Sequence, residues 1–207
     1  MGISIKVEQS GLLTTIQDQG RRDFFSSALS RGGAQDWSAM SVANLLVGNE
    51  ESAAGFEITG LGPTLSFSDT VCIACCGAPV IAKVVQAAAP PVPLPLHRPV
   101  VIQRNAQIRF THFIRGFRAW IAFAGGIQST AYLGSRSSHL AAEVGPPRLA
   151  AKAVLHLGVT AKKITQRISA HLETECFASA GRQNPPQLLA PQWSIADHLL
   201  EQWPVLS

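Results

Sequence analysis

The sequence between residues 11 and 49 reads GLLTTIQDQGRRDFFSSALSRGGAQDWSAMSVANLLVGN. Its last part predicts a short helix over residues 36–47, because three apolar residues recur there at helical spacing: Met40, Ala43 and Val47. Asp36 is a suitable N-cap, since its carboxylate can accept from the free N–H groups of the first turn. Gly48 is a suitable residue after the C-terminal end, because glycine adopts the left-handed conformation without steric cost.

Outside this helix, short segments rich in apolar and β-branched residues recur at close spacing. They are residues 3–7, 56–59, 64–67, 70–76, 80–85, 100–103, 107–110 and 118–124. Short strands separated by turn residues predict a closed or sandwiched β architecture. The proline-rich residues 87–99 predict a loop or a polyproline-like edge segment, because proline cannot donate to a sheet ladder. The alternative is a proline-rich ligand for an aromatic groove.

Composition narrows the class of protein. The chain has 207 residues, of which 46% are apolar and 14% charged, and this is typical of a globular protein with a core. The net charge of +4 comes from scattered basic residues, so no basic stripe for nucleic acid is visible. No apolar run reaches transmembrane length, and we expect a cytoplasmic protein without membrane contact. The low charge indicates a surface that is buried against another protein of the same assembly.

Several polar side chains within residues 11–49 lie where packing alone would not select them. Gln17, Asp18 and Arg21 form a polar turn, which is either a ligand site or ordinary turn chemistry with Asp18 bonding its own backbone. Asn44 falls on the apolar stripe of the predicted helix, where a buried amide needs hydrogen-bond partners. Asp36 is either only a helix cap or also a carboxylate that faces a pocket.

Arg136, between Ser135 and Ser137, is the second candidate ligand site. A guanidinium presents a planar pair of donors to a carboxylate or phosphate, and hydroxyls and turn amides can complete such a site. The alternative is an arginine in a surface turn that pairs with Glu57 or Asp18. We therefore take Asp36 and Arg136 as the candidate catalytic residues, with Gln17, Asp18, Arg21, Asn44, Ser135 and Ser137 as further ligand-binding candidates.

The sequence predicts no metal site. Cys72 and Cys75 have CxxC spacing but lack a second ligand pair, so buried free thiols are the favoured interpretation for the run VCIACCGAPVI. The six histidines lack paired spacing for a metal. No Walker loop, dinucleotide fingerprint or G-x-S-x-G elbow is present. No cofactor can therefore be assigned from a motif.

Six runs occur in a fixed order: GLLTTIQDQGRR, GAQD, ANLLVGN, FEITGLGPTLSF, FAGGI and LGSRSS. Together they resemble the allophanate hydrolase subunit 2 family, also called the biotin-dependent carboxyltransferase family, to which one of the subunits of bacterial 5-oxoprolinase belongs. The resemblance covers residues 7–158, and family members usually run to about twice that length. It implies a mostly β fold similar to the family's cyclophilin-like β-barrel, with one short helix near residues 36–47.

The resemblance also implies a function. It is that of a hydrolase subunit, inactive alone, which acts with a subunit 1 homologue in ATP-dependent hydrolysis of 5-oxoproline (pyroglutamate) to glutamate. One alternative is biotin-dependent carboxyl transfer, or an allophanate- or urea-degrading component, with carboxybiotin in place of ATP. The other is a non-catalytic regulatory protein that binds the subunit 1 homologue. In either chemistry, Arg136 and turn amides could stabilise a developing oxyanion on a small amide or lactam.

The predicted domain organisation follows from where the resemblance ends. Residues 1–158 form the β domain, and residues 159–207 form a divergent tail with possible helices. Ile164, Ile168 and Leu172 recur at helical spacing. Residues 179–193 are rich in Gly, Pro, Gln and Asn and predict a linker before a last helix that Ser194 could cap. We expect the β domain to fold without residues 179–207.

Overall fold

The computed structural model describes residues 2–22, 29–87 and 89–169. The twelve strands are β1 Ser4–Gln9, β2 Leu13–Gln17, β3 Gly55–Thr59, β4 Thr64–Phe67, β5 Val71–Gly77, β6 Val80–Gln86, β7 Ala89–Pro93, β8 Pro99–Ile102, β9 Gln107–Phe113, β10 Arg118–Phe123, β11 Ile127–Gln128 and β12 Val154–Leu157. Helix α1 is Trp37–Leu46, a 3-10 turn is Leu140–Ala142, and residues 161–169 are helical. The prediction of a mostly β protein with a short helix near residues 36–47 is confirmed.

The strands form two antiparallel sheets. One has the order β11-β12-β1-β4-β9-β6-β7 and the other the order β2-β3-β10-β5-β8. Apolar side chains from both sheets meet in one core, where Phe123 lies 5.1 Å from Phe56 and 6.3 Å from Phe67 between ring centroids. In the described residues the sheets do not join into a closed barrel, so the predicted barrel is realised as two sheets around a shared core.

Strand β5 explains the uninterrupted apolar run that contains three cysteines. Its residues alternate between faces: Val71, Ile73 and Cys75 enter the core between the sheets, whereas Cys72, Ala74 and Cys76 pack under helix α1. Both faces are buried, so the strand needs no polar positions. The three thiols are free, and burial raises the pKa of Cys72 and of Cys76 to about 12, which makes them poor nucleophiles at neutral pH.

The proline-rich segment forms an edge strand. Strand β7 pairs with β6 and is the last strand of its sheet among the described residues, and all five of its residues are exposed. Pro90, Pro91 and Pro93 lack a backbone donor, so this edge offers few groups for pairing with another chain. The prediction of a proline-rich edge segment thus corresponds to a short, protected strand.

Helix α1 has the predicted ends. The Asp36 carboxylate accepts from the Ala39 N–H at 2.9 Å, and Gly48 follows the helix with φ of 72°. Its buried face, which includes Met40 and Ala43, packs on β5 and β10. The helix therefore covers the outer face of the five-stranded sheet, and the first sheet covers the inner face.

We predict that Asp36→Ala lowers the free energy of unfolding by about 1 kcal/mol, because the variant loses the cap of α1. Asp36→Asn keeps a capping oxygen and should unfold close to the wild type in a urea titration. If Asp36 also binds a ligand, only the asparagine variant separates the two roles, since it would retain stability and lose binding. Equal stability of the alanine variant and the wild type would contradict the capping role.

The region after residue 158 is only partly described. The compact unit that contains both sheets spans Met1–Ser169. Residues 161–169 form a helix, and Ile164 and Ile168 pack against the cluster under α1. The predicted linker over residues 179–193 and the last predicted helix lie outside the described residues. No helix in the described part of the chain is long and apolar enough to span a membrane.

Candidate functional site

Asp18, the residue after β2, joins two segments that are distant in sequence: residues 18–20 and the loop at residues 135–137. Its carboxylate is buried and accepts from the Gly20 N–H at 2.8 Å and from the Ser135 hydroxyl at 2.7 Å. It also accepts from the Arg136 N–H at 2.6 Å and from the Ser137 hydroxyl at 2.5 Å. Hydrogen bonds to a charged acceptor are roughly twice as strong as neutral ones, so this set fixes the loop around Arg136 to the end of β2.

Gln17 and Arg21 support the same loop from the interior. The Gln17 side-chain amide donates to the Ser138 carbonyl at 3.1 Å, and Arg21 Nη2 donates to the Ser137 carbonyl at 2.6 Å. Arg21 is 1% exposed, and burial lowers its pKa while the nearby Asp18 charge opposes that shift. Both side chains therefore act on the loop backbone and do not line the cavity beside it.

The main-chain N–H groups of residues 135–138 all donate within the protein. Their acceptors are, in chain order, the Tyr132 carbonyl, the Asp18 carboxylate, the Ser135 hydroxyl and the Ile16 carbonyl. These four amides are thus unavailable for a developing oxyanion, although the sequence suggested turn amides for that role. Among the side chains of residues 135–138, the Arg136 guanidinium lines the adjacent cavity, whereas the Ser138 hydroxyl is buried without a hydrogen-bond partner among the described residues.

A cavity of about 370 Å³, here called the Arg136 cavity, opens beside this loop. Its lining residues come from three separate segments: Asp18, Gln19, Gly20, Arg22, Ser52, Leu133, Gly134 and Arg136. Arg136 is half-buried, and its Nε donates to the Ser129 carbonyl at 3.1 Å. This bond orients the guanidinium, so its terminal nitrogens form a fork suited to a planar anion.

The structure brings together six of the eight predicted site residues. Gln17, Asp18, Arg21, Ser135, Arg136 and Ser137 form one hydrogen-bonded group, of which only Asp18 and Arg136 line the Arg136 cavity. Arg21 was predicted as a site residue, whereas its neighbour Arg22, which was not, lines the cavity. Ser52 was also not predicted, and neither Arg22 nor Ser52 carries a local signal that distinguishes it from an ordinary surface residue.

Asn44 belongs to a separate network. It is fully buried and donates to the Glu51 and Ala53 carbonyls at 3.0 and 2.9 Å, while its oxygen accepts from the Asn49 amide at 3.1 Å. Asn49 in turn accepts from the Gly125 N–H at 2.8 Å. The two asparagines therefore connect the end of α1 to the loop after β10, and the Asn44 side chain has no direction left for a ligand.

Glu57 on β3 is a second buried carboxylate, and it pairs with Arg118 rather than with Arg136. Arg118 Nη1 lies 3.4 Å from its Oε1, and the Gln35 N–H donates to both carboxylate oxygens at 3.2 and 3.1 Å. Burial raises the pKa of Glu57, and the nearby Asp36 charge adds to that effect, whereas Gln35 and Arg118 oppose it. Because the pKa of Glu57 is raised, desolvation outweighs the hydrogen bond from Gln35 and the charge of Arg118.

We predict a pH-dependent contribution of Glu57 to stability. Its pKa in the folded protein lies above the ordinary carboxyl value of 4.5, so the folded state binds this proton more tightly than the unfolded state. The contribution is therefore present below pH 4.5 and is lost as pH rises through the raised pKa. Urea titrations at several pH values should show the wild type losing stability relative to Glu57→Gln over this range. A difference between the two proteins that does not change with pH would contradict the shift.

The sequence matches the family described as "Carboxyltransferase domain, subdomain A and B" over residues 27–201. The chain belongs to this carboxyltransferase family. The resemblance that the six ordered runs indicated is confirmed, and the matched residues continue past residue 158. Two antiparallel sheets with short helices are also what the similar solved structures share.

Similar curated proteins agree with this assignment. The chain is 33% identical over 144 residues to one of the 5-oxoprolinase subunits of Escherichia coli, and the match covers 68% of this chain and 44% of that protein. It is 33% identical over 137 residues to a putative urea carboxylase of Emericella nidulans, covering 65% and 11%. It is 29% identical over 143 residues to urea amidolyase of Saccharomyces cerevisiae, covering 69% and 8%. The chain thus spans less than half the length of these relatives.

Solved structures show the same relationship. The crystal structure of TTHA0988 superposes with a TM-score of 0.70 at 30% identity and covers 75% of this chain and 31% of that one. The urea amidolyase of K. lactis superposes with a TM-score of 0.71 at 27% identity, covering 78% and 10%. In each case the matched part is a minor share of the other chain, so related segments occur within larger proteins.

Proposed function

We propose that this protein is a component of an ATP-dependent enzyme that hydrolyses 5-oxoproline to glutamate, together with a homologue of the family's subunit 1. The observation that carries the proposal is the Arg136 cavity, where a guanidinium oriented by Ser129 faces a space large enough for a small lactam. The similarity to the 5-oxoprolinase subunit of Escherichia coli supports the choice of substrate. Free, buried thiols support a reducing compartment, and we place the enzyme in the cytoplasm.

Asp18 and Arg136 have different roles at this site. Asp18 accepts from four donors of the chain, so it holds the loop and positions Arg136. Arg136 is placed to bind an anionic group of the substrate or to stabilise negative charge on the lactam oxygen. Hydrolysis adds water across the lactam C–N bond, and the group that activates this water is expected on the subunit 1 homologue.

The resemblance implies two possible cofactors, carboxybiotin and ATP, and the site suits the first better than the second. A carboxylate, such as that of carboxybiotin, matches the donors of Arg136 and Arg22 in the cavity. Carboxybiotin would supply an activated carboxyl group for transfer. For ATP, the described residues offer no glycine-rich phosphate loop, so ATP is expected to bind elsewhere in the assembled enzyme and none of these residues is assigned to it.

Biotin-dependent carboxyl transfer is the second candidate function, and the similarity to a putative urea carboxylase favours it. A small amide is activated in both reactions, so the same cavity serves either chemistry. The third candidate, a regulatory protein that binds the subunit 1 homologue without turnover, predicts a stable complex with no substrate-dependent ATP consumption.

The deciding experiment is co-expression with the subunit 1 homologue and a third, separate subunit of the enzyme. We expect ATP-dependent release of glutamate from 5-oxoproline by the complex, and none by this chain alone or by a complex that lacks it. Urea- or carboxybiotin-dependent turnover in its place would favour carboxyl transfer. A stable complex without turnover of either substrate would favour the regulatory role.

A further inference from the structure

Among the described residues, the charge that the Arg136 cavity presents to a ligand is positive. Three of the described residues that line it are ionisable: Asp18, Arg22 and Arg136. The Asp18 carboxylate already accepts from four donors of its own chain. Its negative charge is therefore directed into the protein, and the two guanidinium groups are what a ligand meets.

Both guanidinium groups retain donors. Arg136 uses Nε to reach the Ser129 carbonyl, and its two terminal nitrogens make no hydrogen bond to the described part of the chain. Within the described part of the chain, Arg22 makes one long contact, 3.3 Å from Nη2 to the Gln19 side-chain oxygen, and the residue is exposed. Two cations at one cavity repel each other unless an anion lies between them, so the arrangement favours an anionic ligand.

The cavity also has an apolar rim with an unusual backbone. Leu133 and Gly134 both have positive φ, 52° and 77°, at the tip of a tight turn in which Tyr132 and Ser135 exchange backbone hydrogen bonds. Such turns favour Asn, Asp or Gly at the position of Leu133, because a branched side chain is strained there. Leu133 is nevertheless 48% exposed at the cavity. The turn thus places an apolar surface beside the guanidinium groups.

We propose that the Arg136 cavity selects a small amide that carries its own carboxylate, with the carboxylate on Arg136 and Arg22 and the apolar side of the ring against Leu133. This inference rests on the proposed function and names the residues that would recognise its substrate. It favours a lactam carboxylate such as 5-oxoproline over a neutral amide such as urea. It also predicts that a bare anion, which cannot contact Leu133, binds more weakly.

The test is calorimetric titration of the full chain with 5-oxoproline, 2-pyrrolidinone, acetate and urea. The first two share the lactam ring, and only 5-oxoproline has a carboxylate. We expect 5-oxoproline to bind at least about tenfold more tightly than each of the other three. Equal affinity for 2-pyrrolidinone would overturn carboxylate selection, equal affinity for acetate would overturn the contact of the ring with Leu133, and no detectable binding of 5-oxoproline would overturn the whole proposal.

Two variants locate the binding. Arg136→Lys keeps the charge and loses the planar fork, so its affinity for 5-oxoproline should fall about ten- to hundredfold, whereas Arg115→Lys, an exposed arginine outside the cavity, should bind like the wild type. Leu133→Asn relieves the backbone strain, so it should be at least as stable as the wild type and yet bind 5-oxoproline more weakly. Wild-type affinity in either cavity variant would contradict the assigned contact.

The outcome separates this inference from the proposed function. Carboxylate-dependent binding to Arg136 without ATP-dependent glutamate release by the complex would reject the function and retain the ligand class. Glutamate release with wild-type activity in the Arg136→Lys complex would retain the function and reject this cavity as the carboxylate site.

Discussion

Replacing Asp18 by alanine is expected to lower the free energy of unfolding by about 3–5 kcal/mol. The variant loses an acceptor for four donors and leaves the hydroxyls of Ser135 and Ser137 buried without their charged partner. Each hydrogen bond to a charged group contributes about 1.5–3 kcal/mol, and because the four share one carboxylate their losses do not add fully. Urea-induced unfolding at neutral pH measures the change.

Two further substitutions define what the Asp18 result means. Asp18→Asn keeps the shape and one acceptor oxygen, but its amide nitrogen is a donor that faces other donors. Its free energy of unfolding should therefore lie between those of the wild type and the alanine variant. Asp69→Ala removes a carboxylate that is 36% exposed and pairs with Lys162 at the surface, and it should cost under about 1 kcal/mol. If Asp18→Ala is no more damaging than Asp69→Ala, then Asp18 does not hold the loop.

The second large effect is expected at Asn44. Asn44→Ala should cost about 3 kcal/mol, because the carbonyls of Glu51 and Ala53 and the amide of Asn49 each lose a partner, and a buried polar group without one costs about 1–3 kcal/mol. The cost falls below the sum of the three because water can reach the loop after α1 when the side chain is truncated. Chemical unfolding with urea gives the value directly.

A charge test sharpens this prediction. Asn44→Asp has nearly the same shape but directs carboxylate oxygens at the two carbonyls, so it should be less stable than Asn44→Ala at pH 7 and recover part of its stability in acid, where the carboxyl group is protonated. Ser41→Ala, a partly exposed position on the same helix, is the control and should change little. A tolerated aspartate at neutral pH would show that the Asn44 network is not sealed from water.

These two predictions have different consequences for function. Asn44 connects α1 to the loop after β10 and should affect stability without changing the ligand preference of the Arg136 cavity. Asp18 positions Arg136 through the loop backbone, so a milder variant such as Asp18→Asn should weaken binding of 5-oxoproline even where the protein remains folded. Measuring stability and affinity on the same variants separates the two residues.

Local sequence determined most of the elements, because their signals lie within a few residues. The spacing of Met40, Ala43 and Val47, with a cap before them and a glycine after them, defined α1 almost to the residue. The apolar segments at residues 64–67 and 80–85 correspond to β4 and to most of β6. The six ordered runs, taken together, indicated the family. Each of these features depends on neighbours along the chain.

Strand β2 was not among the segments that the sequence predicted as strands, and its last residue, Gln17, was assigned to a polar turn. Four of its five residues are buried, although two of them are Thr14 and Thr15. A half-buried strand shows alternation of polar and apolar residues, but here the polar face is buried as well, where the Gln17 side chain donates to the Thr15 hydroxyl and to the Ser138 carbonyl. The Ser138 and Leu149 N–H groups bond to the Ile16 and Thr14 carbonyls along the edge of the strand opposite β3. A strand covered on both faces by chain that is distant in sequence carries no alternating signal.

Only the tertiary structure decided the site. Arg21 and Arg22 are identical in type and adjacent in sequence, yet one lies under the loop and the other lines the cavity. Asp18 meets Ser135 and Ser137 across more than a hundred residues, a contact that no local spacing encodes. The sequence determined which residues are polar and where the chain turns. Which polar groups saturate one another, and which remain for a ligand, depended on the packing of the two loops, because a hydrogen bond is satisfied by distance in space and not by separation along the chain.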